Sequence, residues 1–224
     1  MRESWIPTVM HRHLDPGESL AEILFGLIMT LTFTLGAGLL VQAGPGAVRE
    51  LLIATIGCNI AWGVIDGALY ITGQVFERAR LTKVGDEVRA ARDESAAATV
   101  VDTELDPLFG LEIEPQQRHA ICRQLAAHIR ANPARAVGLR ATDFKGAAAS
   151  FLLVFCASFP AALPFMFIAD ATLALRVSNG ILIALLFLTG FRWARYTALK
   201  PWLTGLTLMC GGIAMVGLAI ALGG

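Results

Sequence analysis

Apolar residues cluster in five stretches of this chain, near 23–42, 51–73, 147–169, 179–199 and 202–222. A helix needs roughly 20 mostly apolar residues to cross a bilayer core. Each stretch is therefore predicted to be a membrane helix. The first follows a polar segment with His11, Arg12, His13, Asp15 and Glu18. It is also longer than a signal-peptide core, so it reads as a span and not a cleaved leader.

Local signals punctuate the spans. Asp15 can cap the first helix, Pro16 suits its first position, and Glu18 follows three residues after the cap. The helix is expected from Pro16, which places Glu22 inside it. Gly44-Pro45-Gly46 predicts the turn to the second span, Asn179 the start of the fourth, and Lys200-Pro201 the break before the fifth. The expected architecture is all-α and polytopic. Residues 1–15 form an N-terminal segment and 16–74 the first two membrane helices. Residues 75–146 form a helical cytoplasmic domain, and 147–224 carry membrane helices three to five.

No Gly or Pro interrupts Val75 to Val84, so the second span is expected to continue as helix beyond the bilayer, with Leu81, Val84 and Val88 as a thin apolar stripe. A further helix is expected from Pro115 or Gln116 to about Ala131. Ile121, Leu125 and Ile129 recur there every four residues, and Asn132-Pro133 ends the pattern. Charge is divided in this domain. Residues 93–114 hold Asp93, Glu94, Asp102, Glu104, Asp106, Glu112 and Glu114 without Lys or Arg. Residues 115–145 hold Arg118, Arg123, Arg130, Arg135, Arg140 and Lys145 against Asp143.

Composition agrees with a membrane protein. Only 16% of residues are charged and 55% are hydrophobic, where an average soluble domain has about 25% charged. Mean hydropathy is +0.62. The formal net charge is zero, which gives no global field for nucleic acid. The four cysteines show no C-x-x-C pair, so neither a disulfide framework nor a zinc ribbon is expected.

Orientation follows from basic residues at the span ends. With the N-terminus inside, Arg12, Arg78, Arg80, Lys83, Arg140, Lys145, Arg192, Arg195 and Lys200 are cytoplasmic, and Arg49 and Arg176 flank outer ends. The C-terminus is then outside, in the inner membrane of a bacterium.

Asp66 is the most informative residue. It sits inside the second span, about seven residues or roughly 10 Å from its cytoplasmic end at 1.5 Å per residue. A carboxylate at the bilayer centre costs about 2.5–3.5 kcal/mol on insertion scales. Asn59 lies two turns earlier on nearly the same face, and Gly63 and Gly67 allow a close helix approach beside it. Glu22 is expected in the same cytoplasmic half. Two carboxylates and an amide oxygen suit a hard divalent cation, or one carboxylate can carry a proton. The alternative is a protonated or amide-paired packing device. Glu104, Asp106, Glu112 and Glu114 of the acidic run are further candidate cation ligands, although such a run is ordinarily a solvated face. His119, Cys122 and His128 share a predicted helix without an evident fourth ligand. Pro160 and Pro164 free backbone carbonyls in the third span, and Asp170 and Arg176 are placed to pair at its outer end.

Five spans with a cytoplasmic domain after the second resemble the vacuolar iron transporter family. Gly26-Leu27-Ile28 resembles the family's opening in the first span. Phe159-Pro160-Ala161-Ala162-Leu163-Pro164-Phe165 resembles its proline-rich third span. Gly190 to Pro201, with Trp202-Leu203-Thr204-Gly205-Leu206, is similar to its last two. The family's aspartate before the first-span glycine is Phe25 here, and its second-span methionine and glutamate are missing between Gly67 and Thr72. The family's intramembrane metal ligands therefore do not carry over.

The resemblance implies a homodimer in membrane lipid that exports Fe2+ or Mn2+ from the cytosol, with proton exchange. A small bundle without internal repeats also builds a two-sided path most simply with a second copy. The ion is then substrate, and no cofactor is expected. The alternative is a non-transporting scaffold or sensor acting through the cytoplasmic domain. No nucleophile–base pair, H-E-x-x-H or phosphate loop occurs, so an enzyme is not expected.

Overall fold

The structure is a computed structural model and describes residues 16–40, 47–106, 113–134 and 136–221. Asp15, the Gly44–Gly46 turn and Glu112 lie outside the described residues. The described chain is helical, without strands: α1 (Pro16–Leu40), α2 (Ala47–Ala90), α3 (Glu94–Leu105), α4 (Pro115–Ala131), α5 (Ala141–Phe167), α6 (Ala171–Trp193) and α7 (Pro201–Ala221). A short 3-10 turn, Ala194–Tyr196, follows α6. Two compact units divide the chain, one made of residues 1–71 and 141–224 and the other of 72–140.

Among the described residues, four helices are long and apolar enough to cross a membrane, over Pro16–Thr34, Leu52–Ala90, Ala141–Phe167 and Ala171–Tyr196; α7 is apolar over the shorter stretch Pro201–Ala214. Within the first unit the faces of α2 are inverted relative to a soluble helix. Its outer positions are Ile53, Ile56, Ile60, Val64 and Leu69. Its inner positions are Thr55, Asn59, Gly63, Asp66, Gly67 and Tyr70, spaced by three or four residues. Lipid tails are as apolar as leucine, so such helices associate through close packing and hydrogen bonds. Polar and small residues therefore turn inward.

Leu27 and Leu31 of α1 meet Ala161 of α5 and Leu182 and Leu186 of α6 in one fully buried cluster. Close approach requires glycine at particular points. A Cβ on Gly26 would stand 2.8 Å from the carbonyl oxygen of Val154, and one on Gly67 3.1 Å from that of Ala147. Both contacts are with α5 backbone, which cannot yield as a side chain can. Phe187 and Phe191 of α6 clasp Trp202 of α7, with ring centroids 5.3 and 5.8 Å away.

The fourth apolar helix starts earlier than its sequence suggests. Asp170 accepts a 2.7 Å hydrogen bond from the Leu173 amide and caps α6 at Ala171. Asn179 therefore lies inside the helix, and Asp170 is a cap where an ion pair with Arg176 was expected. Helix α5 continues through both Pro160 and Pro164.

The second unit is closed by its own small core. Val88, Ala97, Ala98, Val101, Cys122 and Ala126 are buried together. Two expected stripes are corrected here. In α4 the buried face is Cys122 and Ala126, whereas Ile121 and Leu125 are exposed. Of Leu81, Val84 and Val88, only Val88 is fully buried. The reason is proximity: α3 presents alanines, so the small side chains of α4 fit against it. Helix α3, which the sequence pattern does not predict, is capped by Asp93 accepting from the Ala96 amide.

Candidate functional site

Glu22 and Asp66 come together between α1, α2 and α5. The Glu22 carboxyl is within hydrogen-bonding reach of both Asp66 and Ser150. Ser150, fully buried, donates a 2.5 Å hydrogen bond to Oδ2 of Asp66. Local sequence explains the meeting. Gly67 lets α5 approach beside Asp66, and three alanines, Ala147 to Ala149, precede Ser150 without bulk. Ionised carboxylates are acceptors only. Their contact is satisfied by a proton on one of them or by a cation shared between them.

Ser19 adds to the polar character of this end of α1. It is fully buried one turn before Glu22, and its hydroxyl has no hydrogen-bond partner among the described residues. Leaving a hydroxyl buried and unpaired costs about 1–3 kcal/mol on mutational scales.

Asn59 belongs to a different level of the bundle. It is two turns, or about 10 Å, along α2 from Asp66. Its amide donates to the Thr55 carbonyl at 2.8 Å. The Thr30 hydroxyl lies 3.1 Å from Asn59 Oδ1 and 2.7 Å from the Gly26 carbonyl, so one proton serves both. The next polar link up α1 is Thr34, whose hydroxyl is 2.9 Å from Asn179 Oδ1 on α6. Ser19, Glu22, Gly26, Thr30 and Thr34 recur every three or four residues and form a polar seam along one face of α1. Nineteen to thirty-four spans about 22 Å at 1.5 Å per residue.

Phe25, at the position where the resembled family has aspartate, does not enter this seam. It packs edge-on against Trp62, with centroids 5.8 Å apart.

The acidic run is occupied by arginines. Arg80 pairs with Glu104 at 2.6 Å. Arg118 pairs with Asp102 and, at 2.8 Å, with Asp106. Arg123 pairs with Glu94 at 2.8 Å. Hydrogen bonds from Arg118 hold the Asp102 carboxyl below the usual carboxylate range. Glu114 is exposed at the start of α4 and makes no side-chain cap. Cys122 is buried, with its thiol 3.5 Å from Asp102. Burial, and then that carboxylate, push the thiol up from its ordinary value. His119 and His128 are exposed. Among the described residues no group of three or more His, Cys, Asp or Glu side chains is placed to hold a metal ion.

Ser19, Thr30 and Thr34 of the seam, and Ser150 beside Asp66, were not singled out from sequence. Hydroxyls in membrane helices usually bond to their own helix backbone, so nothing in the local sequence marks them. No protein-family model matches the chain, and no curated protein matches it.

Proposed function

We propose that this protein is a multi-pass membrane transporter of cations, with Glu22 and Asp66 as the pair that takes up the transported ion or the proton exchanged for it. The contact between these two carboxyls, inside helices apolar enough to span a bilayer, carries the proposal. An intramembrane acid is expensive and is ordinarily kept for an ion or proton pathway. Two in contact double the reason. Ser150 orients Asp66, and the unpaired Ser19 hydroxyl leaves a further oxygen beside Glu22.

The seam through Thr30–Asn59 and Thr34–Asn179 supplies polar oxygens farther along α1. In this reading α7 is the fifth span and the N-terminus is cytoplasmic, so Glu22 and Asp66 face the cytosolic half. The substrate is a divalent cation, Fe2+ or Mn2+ by resemblance to the vacuolar iron transporters, exported by a dimer against protons. Two carboxylates and hydroxyl oxygens form a hard-ligand set suited to such ions. The acidic run serves instead to hold α3 against α4 through Arg118 and Arg123, and against α2 through Arg80.

The test is flux in proteoliposomes. Fe2+ and Mn2+ movement under a pH gradient is measured for wild type, Asp66→Asn and Glu22→Gln. Flux that falls at least ten-fold in both variants, with unchanged detergent-solubilised size, supports the reading. Absence of flux for either ion in folded wild type overturns it.

A further inference from the structure

The turn between α6 and α7 gathers cationic and aromatic side chains at one end of two apolar helices. Arg192, Arg195 and Lys200 fall within nine positions, interleaved with Trp193, Tyr196 and Trp202. Residues 171–224 contain no Asp or Glu, so neither helix supplies a carboxylate to neutralise these cations. Arg192 is already engaged within the structure. Arg195 and Lys200 are exposed, and their side chains make no ion pair or hydrogen bond with any other described residue.

The turn is firmly held. A Cβ on Gly190 would stand 2.8 Å from the Thr204 carbonyl oxygen, and one on Gly205 2.8 Å from the Phe187 ring, so α6 and α7 touch backbone to backbone here. Within the turn, the Thr197 amide donates to the Ala194 carbonyl at 3.3 Å, and the Leu199 amide to the Thr197 hydroxyl at 3.4 Å. Five residues of fully extended chain would separate Arg195 from Lys200 by about 18 Å, and these bonds shorten that span. Beyond Lys200 the outer face of α7 is apolar. Leu203, Leu206 and Ile213 are exposed and recur at helical spacing. From Leu203 to Ile213 is about 15 Å at 1.5 Å per residue. Trp202, exposed at the border, belongs to the residue type that sits at the level of lipid headgroups.

We infer that this turn is a binding site for an anionic phospholipid. The phosphate head meets Arg195 and Lys200, and an acyl chain lies along Leu203, Leu206 and Ile213. A guanidinium fork matches two phosphate oxygens, and an ammonium adds a point charge. Basic clusters at the ends of membrane helices recognise anionic headgroups in this way. A zwitterionic headgroup brings its own cation and matches two basic side chains poorly. A soluble anion leaves the apolar stripe uncovered. The one further basic residue of 171–224 is Arg176. It lies about 28 Å along α6 from Arg195, close to the thickness of a bilayer core, and so provides an internal control. The site does not involve Glu22 or Asp66, and lipid binding here stands or falls whether or not the protein moves cations.

The experiment titrates the full chain in detergent with dioleoyl phosphatidylglycerol or dioleoyl phosphatidylcholine and counts bound lipid by native mass spectrometry. Phosphatidylglycerol is expected to bind wild type at least ten-fold more tightly than phosphatidylcholine. Its affinity should fall at least five-fold in the double variant Arg195→Gln, Lys200→Gln. It should be kept in the charge-preserving pair Arg195→Lys, Lys200→Arg and in Arg176→Gln. A phosphatidylglycerol with a diazirine midway along one acyl chain should label residues 201–213 of wild type. Equal affinity for the two lipids overturns recognition of the charge. A loss in Arg176→Gln as large as in the double variant reduces the effect to general attraction between cations and an anionic surface, and overturns the site. Displacement by glycerol phosphate as effective as by phosphatidylglycerol overturns the apolar half and makes the site one for a free phosphate. Labelling spread evenly over all the apolar helices overturns the acyl-chain stripe, a result read on wild type alone. Circular dichroism and elution volume separate loss of the site from loss of the fold in each variant.

Discussion

Ser150 on α5 donates a 2.5 Å hydrogen bond to Asp66 on α2, across 84 positions of sequence. That bond ties the two helices at the level where Glu22 of α1 also arrives. Three helices thus contribute one polar side chain each to a single cluster. A second polar link, Thr30 with Asn59, joins α1 to α2 farther along the bundle. The cluster is both a polar fastening of α2 in this unit and the proposed ion site, so fastening and function have to be separated by choice of substitution.

Ser150→Ala keeps both carboxyls and removes only the donor that orients one of them. It is expected to reduce proton-coupled cation flux several-fold and to leave the protein folded, since a hydrogen bond inside a membrane protein averages about 0.6 kcal/mol. Ser150→Thr keeps the hydroxyl and should retain more flux than Ser150→Ala. Flux under a pH gradient, read beside thermal stability in detergent, checks this. A positioning role is refuted if Ser150→Ala and Ser150→Thr lose flux equally while both remain as stable as wild type.

Glycine position, not glycine content, decides how α1 meets α5. At Gly26 an added Cβ would stand 2.8 Å from a backbone oxygen, whereas at Gly57 nothing lies within 4 Å. Gly26→Ala is expected to destabilise by about 1–3 kcal/mol, the usual range for overpacking. Gly57→Ala should be neutral or stabilising, by up to about 1 kcal/mol from helix propensity. Unfolding in a mixed-micelle titration distinguishes the two. Equal effects at both glycines would refute the close approach of α1 to α5.

Much of the site was legible because charge is conspicuous in an apolar run. Asp66 and Glu22 stand out by cost alone. Their partner Ser150 does not, because a serine after three alanines carries no local signal and the contact is far away in sequence. Asn179 was misplaced for the opposite reason. Ser178-Asn179-Gly180 resembles a turn, and the cap that starts α6, Asp170, lies nine residues before Asn179, about two and a half turns earlier. In the second unit, counting large apolar residues selected Ile121 and Leu125, whereas the structure buries Cys122 and Ala126. A helix that must lie close to the alanines of α3 needs small residues, and a periodicity of bulk misses them. The acidic run read as a solvated face because its arginine partners come from α2 and α4, outside the window in which its composition was judged.

Thr34 and Asn179 join α1 to α6 by a 2.9 Å hydrogen bond. The Thr34 hydroxyl also reaches the Leu31 carbonyl at 3.1 Å. Loss of Asn179 therefore leaves it partly satisfied, and the coupling between the two residues should be small. A double-mutant cycle with Thr34→Val and Asn179→Leu is expected to give about 0.6 kcal/mol, up to about 1.7. Steric trapping in bicelles measures it. A coupling indistinguishable from zero would remove this link from the seam.

Arg118 makes two hydrogen bonds to Asp102, at 2.5 and 3.0 Å, and one to Asp106. These joints hold the acidic α3 against the basic α4 over a core of alanines that buries little area. Because Arg118 holds the Asp102 carboxyl below its unfolded value, the pairing contributes stability that is fully present above the ordinary carboxylate range, near pH 4. That stability is lost as pH falls through the lower, folded value. Hydrogen exchange of the α3 amides, Glu94 to Leu105, should therefore stay slow down to about pH 4 after correction for the intrinsic rate, and accelerate below it. Arg118→Ala should give fast exchange in α3 already at neutral pH, with the amides of α1, α5 and α6 unchanged. Asp102→Asn should lose protection and also flatten the acid step, since the group that titrates is gone. An acid step of undiminished size in Asp102→Asn would assign it to another carboxylate of the run, Glu94, Glu104 or Asp106, and would refute Asp102 as the acid-sensitive joint.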